Sequence, residues 1–166
     1  MNPLEETTVL KSLAVVAVLT TVTTLAAPAF AQNNNPAVAG SYYEDRASAQ
    51  VTSSNVMLTM APTPAGKYVT ITEVSCVLNV DSSQTLAVAL LQVQTVPGGG
   101  VSRYINILGN VYRSTVDGYG YIGILASPLS FKMGAGRYPS ISISMKPNSS
   151  ASMYADCTIA GTLSDT

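Results

Sequence analysis

Three observations predict an all-β fold: an antiparallel β-sandwich, jelly-roll-like, with about eight strands, behind a cleaved signal peptide. Apolar and polar residues alternate over much of the chain after residue 50, the pattern of strands with one buried face. Clusters of Gly, Pro, Asn, Asp and Ser interrupt the alternation at short intervals, supplying residues that tolerate φ > 0 or preset a bend. No window beyond the leader places apolar residues three and four apart, as a helix facing a core requires.

The leader comes first. Leu13 to Leu25 is an apolar run broken only by threonines, and Ala29-Phe30-Ala31 follows. A short apolar stretch ending in A-x-A is the mark of a secretory signal peptide, here residues 1–31 with cleavage after Ala31. The run is shorter than the roughly 20 residues that span a bilayer as a helix, so no membrane span is expected in the mature form. Glu5 and Glu6 do not suit the positive start of such a peptide. Initiation at Val9 or Leu10 would leave Lys11 alone ahead of the apolar run, which predicts that translation begins there. Residues 32–50, opening with Gln-Asn-Asn-Asn-Pro, read as a polar, partly disordered lead-in, and 51–166 as a single domain. The expected location is the bacterial periplasm or the exterior.

Strands are predicted near 54–60, 67–80, 84–96, 101–113, 119–126, 129–133, 138–146 and 151–163. Val56, Leu58 and Met60 share one face of the first. Val74, Cys76, Leu78 and Val80 share one face of the second. Residues 86–91, Leu-Ala-Val-Ala-Leu-Leu, read as a strand buried on both faces. Ile141, Ile143 and Met145 point inward between outward serines, and Met153, Cys157, Ile159 and Leu163 do so in the last strand. No repeat of 20 to 50 residues suggests a solenoid or propeller.

Cys76 and Cys157 are the only cysteines. An even count in an exported chain favours a disulfide. Both point inward, so the bond is expected to pin the end of the chain to the body of the fold and clamp two layers. No C-x-x-C is present to lower a thiol pKa for redox work.

After residue 31 the chain carries seven basic residues (Arg46, Lys67, Arg103, Arg113, Lys132, Arg137, Lys146) and seven acidic ones (Glu44, Asp45, Glu73, Asp81, Asp117, Asp156, Asp165). Neither sign is clustered along the chain. A basic stripe able to neutralise phosphates is absent, which argues against nucleic acid as a partner.

Gly118, Gly120 and Gly123 spell G-x-G-x-x-G. A dinucleotide fingerprint needs a helix after the glycines and an acidic residue about twenty positions on. Here Pro128 follows within a turn and the next carboxylate is Asp156, so the segment reads as a strand carrying Tyr119 and Tyr121 on one face. Ala65-Gly66-Lys67 lacks the earlier glycine and the following Ser or Thr of a P-loop. Asn148-Ser149-Ser150 fits a glycosylation sequon and reads as a turn.

The chain contains no histidine. Ser-His-Asp and Cys-His catalysis and histidine metal sites are therefore excluded. No S-x-x-K supports a serine–lysine nucleophile, and the carboxylates are scattered near turns or single on outward faces, unlike a glycosidase pair. No enzyme activity, cofactor or metal is expected.

What remains is surface chemistry. Tyr104, Tyr112, Tyr119 and Tyr121 are the candidate ligand-binding residues, with Tyr138 and Tyr154 also outward or at rims and Tyr42 and Tyr43 in the lead-in. A tyrosine offers a flat apolar ring with a polar tip, suited to stacking on a sugar or to a protein interface. The expected function is that of a non-catalytic exported module binding a glycan or an envelope protein. The alternative is a self-associating structural subunit. Domain size, the two cysteines, Ser/Thr/Ala-rich strands and the leader give the chain a general character that resembles chaperone–usher pilins. It departs from them in two ways. Residues 32–46 offer no alternating apolar donor strand, and Cys157 lies near the C-terminus, whereas pilin cysteines usually lie close together in the first half.

Overall fold

A computed structural model describes residues 32–33, 36–147 and 150–166. The predicted leader, its cleavage site, the proposed start at Val9 or Leu10 and the Asn148-Ser149 turn lie outside the described residues. Among those described there are twelve strands and no helix: β1 (Gln32–Asn33), β2 (Ala37–Ala39), β3 (Tyr42–Thr52), β4 (Asn55–Thr59), β5 (Lys67–Asp81), β6 (Thr85–Gln94), β7 (Val101–Asn106), β8 (Asn110–Val116), β9 (Tyr119–Ala126), β10 (Phe131–Met133), β11 (Tyr138–Lys146) and β12 (Ser152–Asp165). No helix among the described residues is long and apolar enough to cross a membrane.

The strands form two antiparallel sheets. The larger runs β1-β3-β12-β5-β9-β8, with β10 on β5 and β2 on β3; the smaller runs β4-β11-β6-β7. Their facing sides meet in one core that includes Leu58, Met60, Ile71, Leu78, Leu91, Ile122, Ile141, Met153 and Ile159, all fully buried or nearly so. Alternation is the cause: every inward residue expected of 56–60, 74–80 and 141–145 is buried.

Three features of individual strands differ from the sequence expectation. The segment 42–50, expected in a partly disordered lead-in, forms most of β3, which pairs with β12 along its whole length. Its inward set is Tyr43, Asp45, Ala47 and Ala49; a carboxylate and two alanines make a weak apolar signal. Asp45 is 3 % exposed. Its carboxylate accepts hydrogen bonds from the Arg46 N–H at 2.8 Å and the Ala61 N–H at 2.9 Å, with the Tyr43 hydroxyl at 3.5 Å. Burial pushes the Asp45 carboxyl above its ordinary range, against those bonds, and pushes the Tyr43 phenol up as well.

Second, the single strand expected over 101–113 is two. The chain leaves β7 at Asn106 and enters β8, in the other sheet, at Asn110. Gly109 makes the crossing possible, because a Cβ there would lie 2.8 Å from the Leu125 carbonyl oxygen. Third, β6 is a strand but is not buried on both faces over 86–91: Val88 remains exposed while Ala89 and Leu91 face the core.

The cysteines point inward as expected, and Cys76 pairs directly with Cys157 in the register of β5 and β12, with a disulfide between them. Both strands belong to the larger sheet, so the bond ties neighbours within one layer and does not clamp the two layers together. Parity along a strand assigns a side chain to a face; it does not say which strand lies beside it.

Candidate tyrosine-lined site

The outer face of the larger sheet carries Tyr112, Tyr119, Tyr121 and Tyr154. Strand register builds it row by row. Tyr154 of β12 lies beside Asn79 of β5, Asn79 beside Tyr121 of β9, and Tyr121 beside Ser114 of β8. One step along, Val77 neighbours Gly123, and Gly123 neighbours Tyr112. One step the other way, Asp81 neighbours Tyr119, and Tyr119 neighbours Val116. Tyr119 and Tyr121 face outward because their alternating neighbours Gly120, Ile122 and Ile124 are buried, and Tyr112 joins that face through its register with Gly123.

The turn between β8 and β9 sets this register. Asp117 (φ 50°) and Gly118 (φ 83°) are both left-handed, as a two-residue hairpin turn demands. The glycines of the G-x-G-x-x-G stretch thus have separate uses. Gly118 is in the turn, while Gly120 faces inward where an added Cβ would be 3.2 Å from a Val80 methyl. Gly123 leaves open the space between Val77 and Tyr112 on the outer face.

A shallow cavity of about 300 Å³ lies on this face, lined by Gln50, Asn79, Tyr119, Ser152 and Tyr154. Two aromatic rings meet three uncharged polar side chains there. Gln50 donates from Nε2 to the Ser152 hydroxyl at 3.3 Å, and the Tyr154 hydroxyl donates to Asp156 at 3.3 Å. Asp156 in turn receives both Nε and a terminal nitrogen of Arg46. That ion pair holds the Asp156 carboxyl below its usual range, with the Tyr154 hydroxyl adding to the effect. The tip of Tyr154 is thereby tethered while the residue remains 39 % exposed.

Of the four candidate tyrosines, Tyr112, Tyr119 and Tyr121 lie on one face, and Tyr119 lines the cavity. Tyr104 does not join them: it lies on β7, beside Gln92 in the smaller sheet. Tyr43 is no surface residue at all. Gln50, Asn79 and Ser152, which complete the cavity, carried no sequence signal, since outward polar residues are what any half-buried strand contains.

Several carboxylates have local partners. Asp81 accepts from both the N–H and the hydroxyl of Ser83, at 2.8 and 2.6 Å, which closes the β5–β6 turn and holds its carboxyl low. Asp165 pairs with Lys67 at 2.5 Å. Among the described residues no group of three or more His, Cys, Asp or Glu is placed to hold a metal ion. No family model, no curated protein and no solved structure matches the chain.

Proposed function

We propose that the protein is a non-catalytic, exported binding module whose ligand is an uncharged glycan held at the Tyr119–Tyr154 cavity. The observation that carries this reading is the pairing of two exposed rings with Gln50, Asn79 and Ser152 around one opening. A sugar presents an apolar C–H face and a rim of hydroxyls. Tyrosine rings accept the first, and carboxamides and a serine hydroxyl satisfy the second without a charge to desolvate. The disulfide supports an oxidising compartment. We also read the paired orders β3-β12-β5-β9 and β4-β11-β6-β7 as those of a jelly roll, an architecture used by lectin and capsid domains alike. That support is analogy of fold alone.

The reading is tested by titrating the protein with neutral oligosaccharides while following amide resonances. Binding should move Asn79, Tyr119 and Tyr154, and Tyr119→Ala and Tyr154→Ala should each weaken it tenfold or more with the fold intact. Two alanine variants that bind like the parent would remove the site.

A second reading, self-association as a structural subunit, has its own support. All seven residues of β8 are exposed, and β8 ends the larger sheet with one side unpaired. Such an edge accepts another strand unless something blocks it. Light scattering across a concentration series decides this: oligomers abolished by Val111→Lys favour it, and a monomer throughout ends it.

A further inference from the structure

A larger cavity, of about 500 Å³, lies where β10 and the turn after it face the ends of β6 and β7. Its lining includes Arg103, Lys132 and Arg137, with Tyr68, Val93 and Met133, and it contains no carboxylate. Three of the seven cations beyond residue 31 thus meet in one place, although the sequence spaces them between residues 103 and 137. The two ion pairs among the described residues are Arg46–Asp156 and Lys67–Asp165. None of the three cavity cations is within ion-pair distance of a carboxylate there.

Two of the cations are fixed in position. The Arg103 guanidinium stacks 4.6 Å from the centre of the Phe131 ring and donates to the Lys132 carbonyl. The Lys132 ammonium sits 4.2 Å from the centre of the Tyr68 ring. Stacking and one backbone acceptor hold the guanidinium while leaving other N–H donors unused, since arginine has five. Arg137 follows the left-handed Gly136, and its backbone N–H is anchored to the Thr63 hydroxyl at 3.0 Å.

From this arrangement we infer a second binding site, for a small organic anion. Its carboxylate, phosphate or sulfate group would sit among Arg103, Lys132 and Arg137, and its apolar body against Tyr68, Met133 and Val93. Like charges gathered without counter-charge create a positive potential that favours an anion, and two guanidinium forks suit an oxyanion. The apolar wall distinguishes an organic anion from a bare inorganic one. The site is independent of the tyrosine cavity. Tyr68 and Asn79 lie toward opposite ends of β5, on the order of 35 Å apart along a strand.

The test is a titration at constant ionic strength with four probes: acetate, benzoate, inorganic phosphate and phenyl phosphate. It is followed by backbone amide and arginine Nε–Hε resonances. A saturable shift at Arg103, Arg137 and Met133 is expected, with benzoate tighter than acetate and phenyl phosphate tighter than phosphate. Comparing the two aromatic probes tells which head group the cations prefer. Arg137→Gln is the deciding variant, because Arg103 also holds β10, and it should weaken binding tenfold or more without lowering the Tm. Shifts that chloride reproduces, or an Arg137→Gln protein that binds as the parent does, would overturn the inference. So would inorganic and organic probes binding equally, since the apolar wall would then contribute nothing.

Discussion

Cys76 and Cys157 stand directly opposite one another in the middle of the larger sheet, Cα atoms 4.1 Å apart, and their sulfurs are bonded. That spacing is close to the ~4.5 Å of an antiparallel pair that exchanges no backbone hydrogen bonds, where side chains approach most nearly. The bond closes a loop with a sequence separation of 81, so the chain-entropy model assigns it about 4–4.5 kcal/mol. The double variant Cys76→Ala/Cys157→Ala should lose roughly that much in a urea titration while keeping its β-sheet circular dichroism. A loss below about 1 kcal/mol would contradict this and show that the unfolded chain is already restricted without the bond.

Among the described glycines, Gly161 leaves the least room for a Cβ. A Cβ at this position would lie 2.1 Å from the Thr70 carbonyl oxygen, at the irregularity where β12 shifts register on β5. Backbone cannot yield as a flexible side chain can. Gly161→Ala should therefore cost about 1–3 kcal/mol or more, measured by thermal or urea unfolding, and a neutral result would contradict this close approach.

Ser140 and Gln92 are neighbours across β11 and β6, and the Ser140 hydroxyl and the Gln92 side-chain oxygen are buried without a hydrogen-bond partner. Removing an unsatisfied hydroxyl removes its desolvation penalty. Ser140→Ala should thus be neutral or stabilising by about 0–1 kcal/mol, against the usual trend for a fully buried position. A clear drop in Tm would refute that.

Acid should act on the fold through two carboxylates of opposite sign. The Asp156 carboxyl is lowered from 3.8, chiefly by its hydrogen bond to Arg46. Its contribution is present above 3.8 and is lost as the pH falls through the lower folded value. The Asp45 carboxyl is raised from 3.8 by burial. The folded state takes up that proton first, so stability from this group is full below 3.8 and declines as the pH rises through the folded value. Urea midpoints measured from pH 2 to 7 should show Asp156→Asn flattening the acid limb. Asp45→Ala should cost about 1–3 kcal/mol at neutral pH, because it strands the Ala61 N–H. An acid limb unchanged in Asp156→Asn would break the assignment.

How much of this was legible before folding follows from the range of each signal. Alternation is local, so Ile141, Ile143 and Met145 declared their face directly, as did Val74 to Val80. Tyr43 did not, because its partners along β3 are Asp45, Ala47 and Ala49, and only pairing with β12 makes that strand interior. The split at Gly109 was hidden because alternation continues through a change of sheet. For the tyrosine cavity, Tyr119 was visible and Asn79 was not. The meeting of Arg103 with Lys132 and Arg137 depends wholly on which edges the two sheets bring together, which is a property of topology.

One consequence reaches beyond the finished structure. β12 is inserted between β3 and β5, so the larger sheet has a gap at its centre until β12 is in place. A chain emerging N-terminus first can pair β5 with β9 and β9 with β8, but β3 joins that body only through β12. β3 and β12, far apart in sequence, must find each other before β3 is secure, a slow search by the standards of local folding. Insertion of β12 is therefore the step that closes the larger sheet.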